Sequence, residues 1–71
     1  MISSAEEARS LVDGWLSKDK RGFRYDHLST QRDSRGWILL YSTFSKEGHL
    51  IDGPAVFLVD PTTGEVRSLY A

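Results

Sequence analysis

Residues 37–44, Trp-Ile-Leu-Leu-Tyr-Ser-Thr-Phe, constrain this chain more than any other stretch. Aromatic and aliphatic side chains crowd a segment too short for a typical helix, so the residues read as a strand. In an extended backbone Trp37, Leu39 and Tyr41 point one way and Ile38, Leu40 and Phe44 the other. A strand apolar on both faces is either central in a covered sheet or offers one face to a partner. The chain is 71 residues long and 39% hydrophobic. At that size one domain forms at most, and folding buries only about 60% of the surface the unfolded chain exposes. Little stability is left over for a deep, strained catalytic pocket.

The rest of the chain supplies a layer for that strand. Ala5, Ala8, Leu11, Val12, Trp15 and Leu16 recur at three- and four-residue spacing, which predicts an amphipathic helix at about 4–19. Ser4 with Glu7, or Ser3 with Glu6, forms a capping box at its start. Lys18 and Lys20 lie toward its end, where the helix dipole favours cations, and Gly22 is the expected stop. Gly14 either weakens the helix or lets a strand approach closely. Glu6, Glu7, Asp13 and Asp19 read as the solvated side. Phe23, Tyr25 and His27 alternate with Arg24 and Asp26, predicting a half-buried strand over about 23–32. Its polar end, 29–34, prolongs the strand as an exposed edge or forms a loop.

Ser34-Arg35-Gly36 signals a turn, and a strand follows at about 37–45. His49 to Asp52 is a short extended piece ended by Gly53-Pro54. Pro54, lacking an N–H, belongs at the start of the next strand (about 54–60) or on an edge. Asp60-Pro61-Thr62-Thr63-Gly64 is a turn in which Asp60 accepts backbone hydrogen bonds, Pro61 presets φ and Gly64 takes a positive φ. Residues 65–70 return as the last strand. A helix followed by consecutive strands on short turns gives an α+β fold, an N-terminal helix packed on a four-stranded antiparallel β-meander.

Chemistry is excluded more readily than assigned. There is no cysteine, so no thiolate metal site and no thiol nucleophile. His27 and His49 have Asp26 and Asp52 near them in sequence, but no ligand spacing places them together, so no metal, cofactor or catalytic residue is expected. No Gly-x-Ser-x-Gly and no phosphate-cradling glycine pattern occurs. The reading is a non-enzyme. The N-terminus is acidic and lacks the apolar region of a signal peptide, no apolar run is long enough to span a membrane, and a cytoplasmic location is expected.

The net charge is −1, yet residues 18–35 carry a net +3. With Phe23 and Tyr25 interleaved, that stretch is either a modest nucleic-acid surface, an electrostatic guide for an acidic protein, or an edge strand blunted by charge. Balanced counts make a dedicated nucleic-acid binder the weaker reading. Trp, Tyr and Arg are the common anchors of protein interfaces. The candidate partner-binding residues are therefore Trp37, Tyr41, Arg24, Arg32 and Arg35. Trp37 and Tyr41 are expected on an open sheet face; the competing arrangement packs them on Trp15 and the helix.

Gly36-Trp37 opening a strand, followed by Gly53-Pro54-Ala55-Val56-Phe57-Leu58-Val59-Asp60-Pro61-Thr62-Thr63-Gly64-Glu65-Val66, resembles the immunity protein 35 family of bacterial polymorphic-toxin systems. The resemblance implies a short helix before a β-meander. It also implies a non-enzymatic inhibitor that binds a cognate toxin domain in the producing cell, using about 800 Å² per partner. Gly36, Trp37, Gly53, Pro54, Asp60 and Gly64 carry the match and read as turn and core positions. Two other readings stand beside it: a module that self-associates as a homodimer through a sheet edge or open face, and a small nucleic-acid-associated regulator using 18–35.

Overall fold

The structure, a computed structural model, describes residues 1–69. The elements are α1 (Ala5–Leu16), β1 (Arg24–Asp33), β2 (Gly36–Phe44), β3 (Leu50–Val59) and β4 (Val66–Ser68). The strands pair antiparallel in the order β1-β2-β3-β4, and α1 packs across one face of the sheet. The α+β meander expected from the sequence is the fold observed. The last strand is shorter than 65–70, and Tyr70 lies outside the described residues.

Helix α1 starts as its capping signals dictate. The Ser4 hydroxyl accepts from the Glu7 N–H at 3.2 Å, and the Glu7 carboxylate accepts from the Ser3 hydroxyl at 2.9 Å. These bonds, those from Ser3 first, hold the Glu7 carboxyl below its ordinary pKa. The helix ends three residues before 19. Lys18 and Asp19 donate to carbonyls three residues back, Trp15 and Leu16, and the Ser17 hydroxyl takes the Gly14 carbonyl at 2.7 Å. Those contacts satisfy the last turn's open carbonyls. Lys18 and Lys20 thus fall beyond the helix, and its last turn carries no base. Gly22, at φ 81°, turns the chain toward β1 instead of ending the helix.

No strand backbone approaches Gly14: a Cβ there meets no atom within 4 Å. The residue simply costs backbone entropy, so Gly14→Ala should stabilise the fold by about 0.5–1 kcal/mol. Thermal melting checks this; a lower midpoint would show that the open space is needed.

Two irregularities shape the sheet. On β1, residues 29–33 prolong the strand as its polar end, and Leu28 is squeezed out as a bulge between His27, paired with Tyr41, and Ser29, paired with Leu40. On β3, Asp52, Gly53 and Pro54 together oppose Ser42, between the pairs Tyr41–Ala55 and Thr43–Ile51. The two extended pieces read at 49–52 and 54–60 are therefore one strand. The bulge admits Pro54 inside it because a bulged residue need not donate to the ladder, and Gly53 supplies the positive φ of 81°.

The core settles which face the helix covers. Ala8 and Val12 of α1 are fully buried against Leu39, Tyr41, Phe57 and Val59, with Trp37, Tyr25, Ala55 and Val66 packed around them. Trp37 and Tyr41 thus lie on the helix side of the sheet, not on the open face where they were expected. Their polar atoms explain why. Tyr41, 2% exposed, donates its hydroxyl to the Asp13 carboxylate at 2.9 Å, and the Trp37 indole N–H donates to the Ile2 carbonyl at 3.3 Å. Each ring buries its apolar body and keeps a partner for its polar end. Asp13, read as solvated, is half-exposed beside Arg9 and also accepts the Tyr41 hydroxyl, whereas Asp19, read the same way, is largely covered.

Burial, and then the bond to Asp13, push the Tyr41 hydroxyl well above the usual tyrosine range. A group whose folded pKa is raised contributes stability that is complete below its unfolded pKa, about 10, and lost as pH climbs above it. Melting curves should therefore fall with pH above about 10, and fall less steeply in Tyr41→Phe. Parallel declines in the two proteins would refute this.

Candidate functional site: the open sheet face

Opposite α1 the sheet has no second layer among the described residues. Cross-strand pairing assigns the side chains there. Ile38 pairs with Leu58, Leu40 with Val56 and Phe44 with Leu50, so one apolar band crosses β2 and β3. Its neighbours on β1 are polar, Gln31 beside Ile38 and Ser29 beside Leu40, and Arg67 of β4 lies beside Leu58. The band's members on β2, and Val56 and Leu58 of β3, are half-buried. The β1 bulge turns out Leu28, 56% exposed, and Leu50 is 62% exposed. With Leu40, Ser42 and the β3 bulge they line a shallow groove of about 270 Å³.

Charges stand at two opposite corners of this face. Arg24 lies over the Phe44 ring at 4.6 Å from its centroid and pairs with Asp26 at 3.8 Å. At the other corner Arg67 holds Glu65 at 2.6 Å. Asp52, in the β3 bulge, adds an acid at the groove's margin.

The basic stretch is largely answered from within. Arg21 chelates Asp19, and Tyr25 donates to the same carboxylate at 2.9 Å. The bonds from Arg21, foremost, hold the Asp19 carboxyl far below its usual range. Arg35 pairs with Asp33 at 3.0 Å, and its backbone N–H also donates to that carboxylate, whose pKa is lowered. Arg32 donates to the Asp33 carbonyl and lies 5.6 Å from the Trp37 ring centroid. Three of the four arginines in 18–35 therefore form local ion pairs, which disperses the concentrated positive surface a phosphate backbone needs.

The sequence-derived candidates separate accordingly. Arg24 borders the open face; Arg32 and Arg35 are exposed at the β1 end of the β1–β2 hairpin. Tyr41 is core, and Trp37 is half-buried under the N-terminal segment. The residues that form the open face, Ile38, Leu40, Val56 and Leu58, were missed as site residues because aliphatic side chains are weaker interface signals than Trp or Arg. Asp60 accepts from the N–H groups of Thr62 and Thr63 at 2.8 and 3.0 Å, which lowers its pKa, and Gly64 has φ 79°. Gly36 is buried with φ 145°.

His27 bonds Thr30 at 2.7 Å, and among the described residues no three His, Asp or Glu side chains converge as metal ligands would. Among those residues no helix is long and apolar enough to cross a membrane. In comparisons with known proteins, no family model, no curated protein and no solved structure matches the chain.

Proposed function

We propose that this chain is a non-enzymatic protein-binding module that docks through the open face of its sheet. One observation carries the reading: the band Ile38–Leu58, Leu40–Val56 and Phe44–Leu50 has no layer over it, while on the opposite face of the same strands α1 buries Leu39, Tyr41, Phe57 and Val59. A contiguous exposed apolar patch of this kind, rimmed by polar side chains, is how soluble proteins mark a partner site. The resemblance of residues 36–66 to immunity protein 35 supplies the finer reading. In it the chain acts in the cytoplasm of a toxin-producing bacterium, covers a toxin domain and blocks its site by occupation, with no cofactor.

The test is capture from host lysate by tagged wild type and by Leu40→Asp, read by mass spectrometry. The expected result is a stoichiometric protein with a toxin-type domain that wild type retains and Leu40→Asp, still folded, does not. Equal retention by the two proteins would overturn the face as the docking surface. Nucleic acid in the eluate, lost at higher salt, would move the function to residues 18–35.

A further inference from the structure

We infer that in the free protein the occupant of the open face is a second copy of this chain, packed face to face about a two-fold axis. The inference rests on the reading of that face as a docking surface and names what covers it.

The first ground is area. Strands about 4.8 Å apart, rising about 3.3 Å per residue, give a face of about 500 Å² for the nine to ten residues of β1–β3 and the stub of β4. Two copies then cover about 1,000 Å² together, the threshold of a specific interface. The solvent side of α1 offers less: Glu6, Arg9, Ser10 and Ser17 are exposed there, and its large exposed apolar residues are two, Leu11 and Trp15.

The second ground is charge. A face built for a charged foreign partner carries a rim of one sign. Here the Arg24–Asp26 corner and the Glu65–Arg67 corner each hold one base and one acid. Two copies can meet with their sheets aligned or crossed without setting a net charge of either corner against its like; Asp52, at the groove's margin, is an acid the packing must leave at the rim. The band between the corners is aliphatic apart from Phe44, with Ser29, Gln31 and Ser42 at its polar margin. That is the composition of the inner face of a β-sandwich, in which two sheets pack about 10 Å apart. An isologous contact places every outward residue in the interface twice, so Leu28 and Leu50, exposed in the single chain, gain cover without any further segment.

Sedimentation equilibrium of the purified full chain from low-micromolar to millimolar concentration tests this. Wild type should pass from monomer to dimer and no further. Leu40→Asp should raise the dimer dissociation constant by about 100-fold or more, because a charge enters the dry centre twice. Val56→Thr keeps the shape and the strand preference of the side chain and should weaken the dimer by a smaller factor. It gives the answer even if Leu40→Asp does not fold. A wild type monomeric at millimolar concentration overturns the inference. If the monomer nevertheless captures a foreign protein that Leu40→Asp loses, the docking face stands and the second copy does not. A dimer indifferent to both substitutions overturns the inference and assigns self-association to another surface.

Discussion

Gly36→Ala is expected to be among the most damaging single-methyl changes in this protein, costing about 3 kcal/mol or more. The residue opens β2 opposite Asp33 with φ 145°, a backbone conformation that L side chains rarely adopt. A Cβ there would collide with the Val59 carbonyl oxygen and come within 2.9 Å of Pro61 Cδ. Neither neighbour can yield cheaply. Val59 is locked in the sheet between Trp37 and Val66, and the Pro61 carbonyl holds the Ile2 N–H at 2.7 Å. For a domain of this size 1 kcal/mol moves the melting midpoint by about 4–8 °C, so the loss is easily read by thermal or urea unfolding. The same substitution at Gly14 should act in the opposite direction. A Gly36→Ala protein as stable as wild type would contradict the close approach of β2 to the turn after β3.

The second large effect separates two adjacent leucines. Leu39 is 0% exposed beneath Ala8 and Val12; Leu40 faces outward with no layer above it. Leu39→Ala should cost about 2–5 kcal/mol through lost burial and the cavity left behind. In dilute, monomeric protein Leu40→Ala should cost under about 1 kcal/mol, since a half-exposed side chain recovers much of its hydration. Urea unfolding well below the association range gives both numbers. Equal costs would mean that both faces are covered in the monomer, and a larger cost at Leu40 would reverse the placement of the helix.

Much of this architecture is legible from residue order because the local signals agree with one another. Ser4 and Glu7 begin the helix, the alternation from Phe23 to His27 makes an edge strand, and Asp60 to Gly64 is a turn whatever surrounds it. The choice of covered face is not local. Residues 37–41 are apolar on both sides, so neither face is excluded by hydropathy. The deciding contacts, Tyr41 to Asp13 and Trp37 to Ile2, link residues 28 and 35 positions apart. A preference for Trp and Tyr as interface anchors pointed to the wrong side, since their polar ends find partners under the helix. The bulges escaped for a related reason. Gly53-Pro54 has the composition of a strand boundary, and only the pairings of Thr43 with Ile51 and Phe44 with Leu50 carry the ladder past it. The basic stretch looked unbalanced in composition, yet each acid within it lies two residues from an arginine that it pairs with.

The docking reading stands on one geometric statement: α1 buries Leu39 and Val59, while Leu40, Val56 and Leu58 face the side without a helix and stay partly exposed. Methyl NMR of dilute protein with a soluble paramagnetic relaxation agent measures this directly. The expected result is strong broadening of the Leu40, Val56 and Leu58 methyl signals, with those of Val12, Leu39 and Val59 protected. Protected Leu40 and Leu58 methyls alongside broadened Leu39 and Val59 methyls would place the helix on the other face and contradict the account.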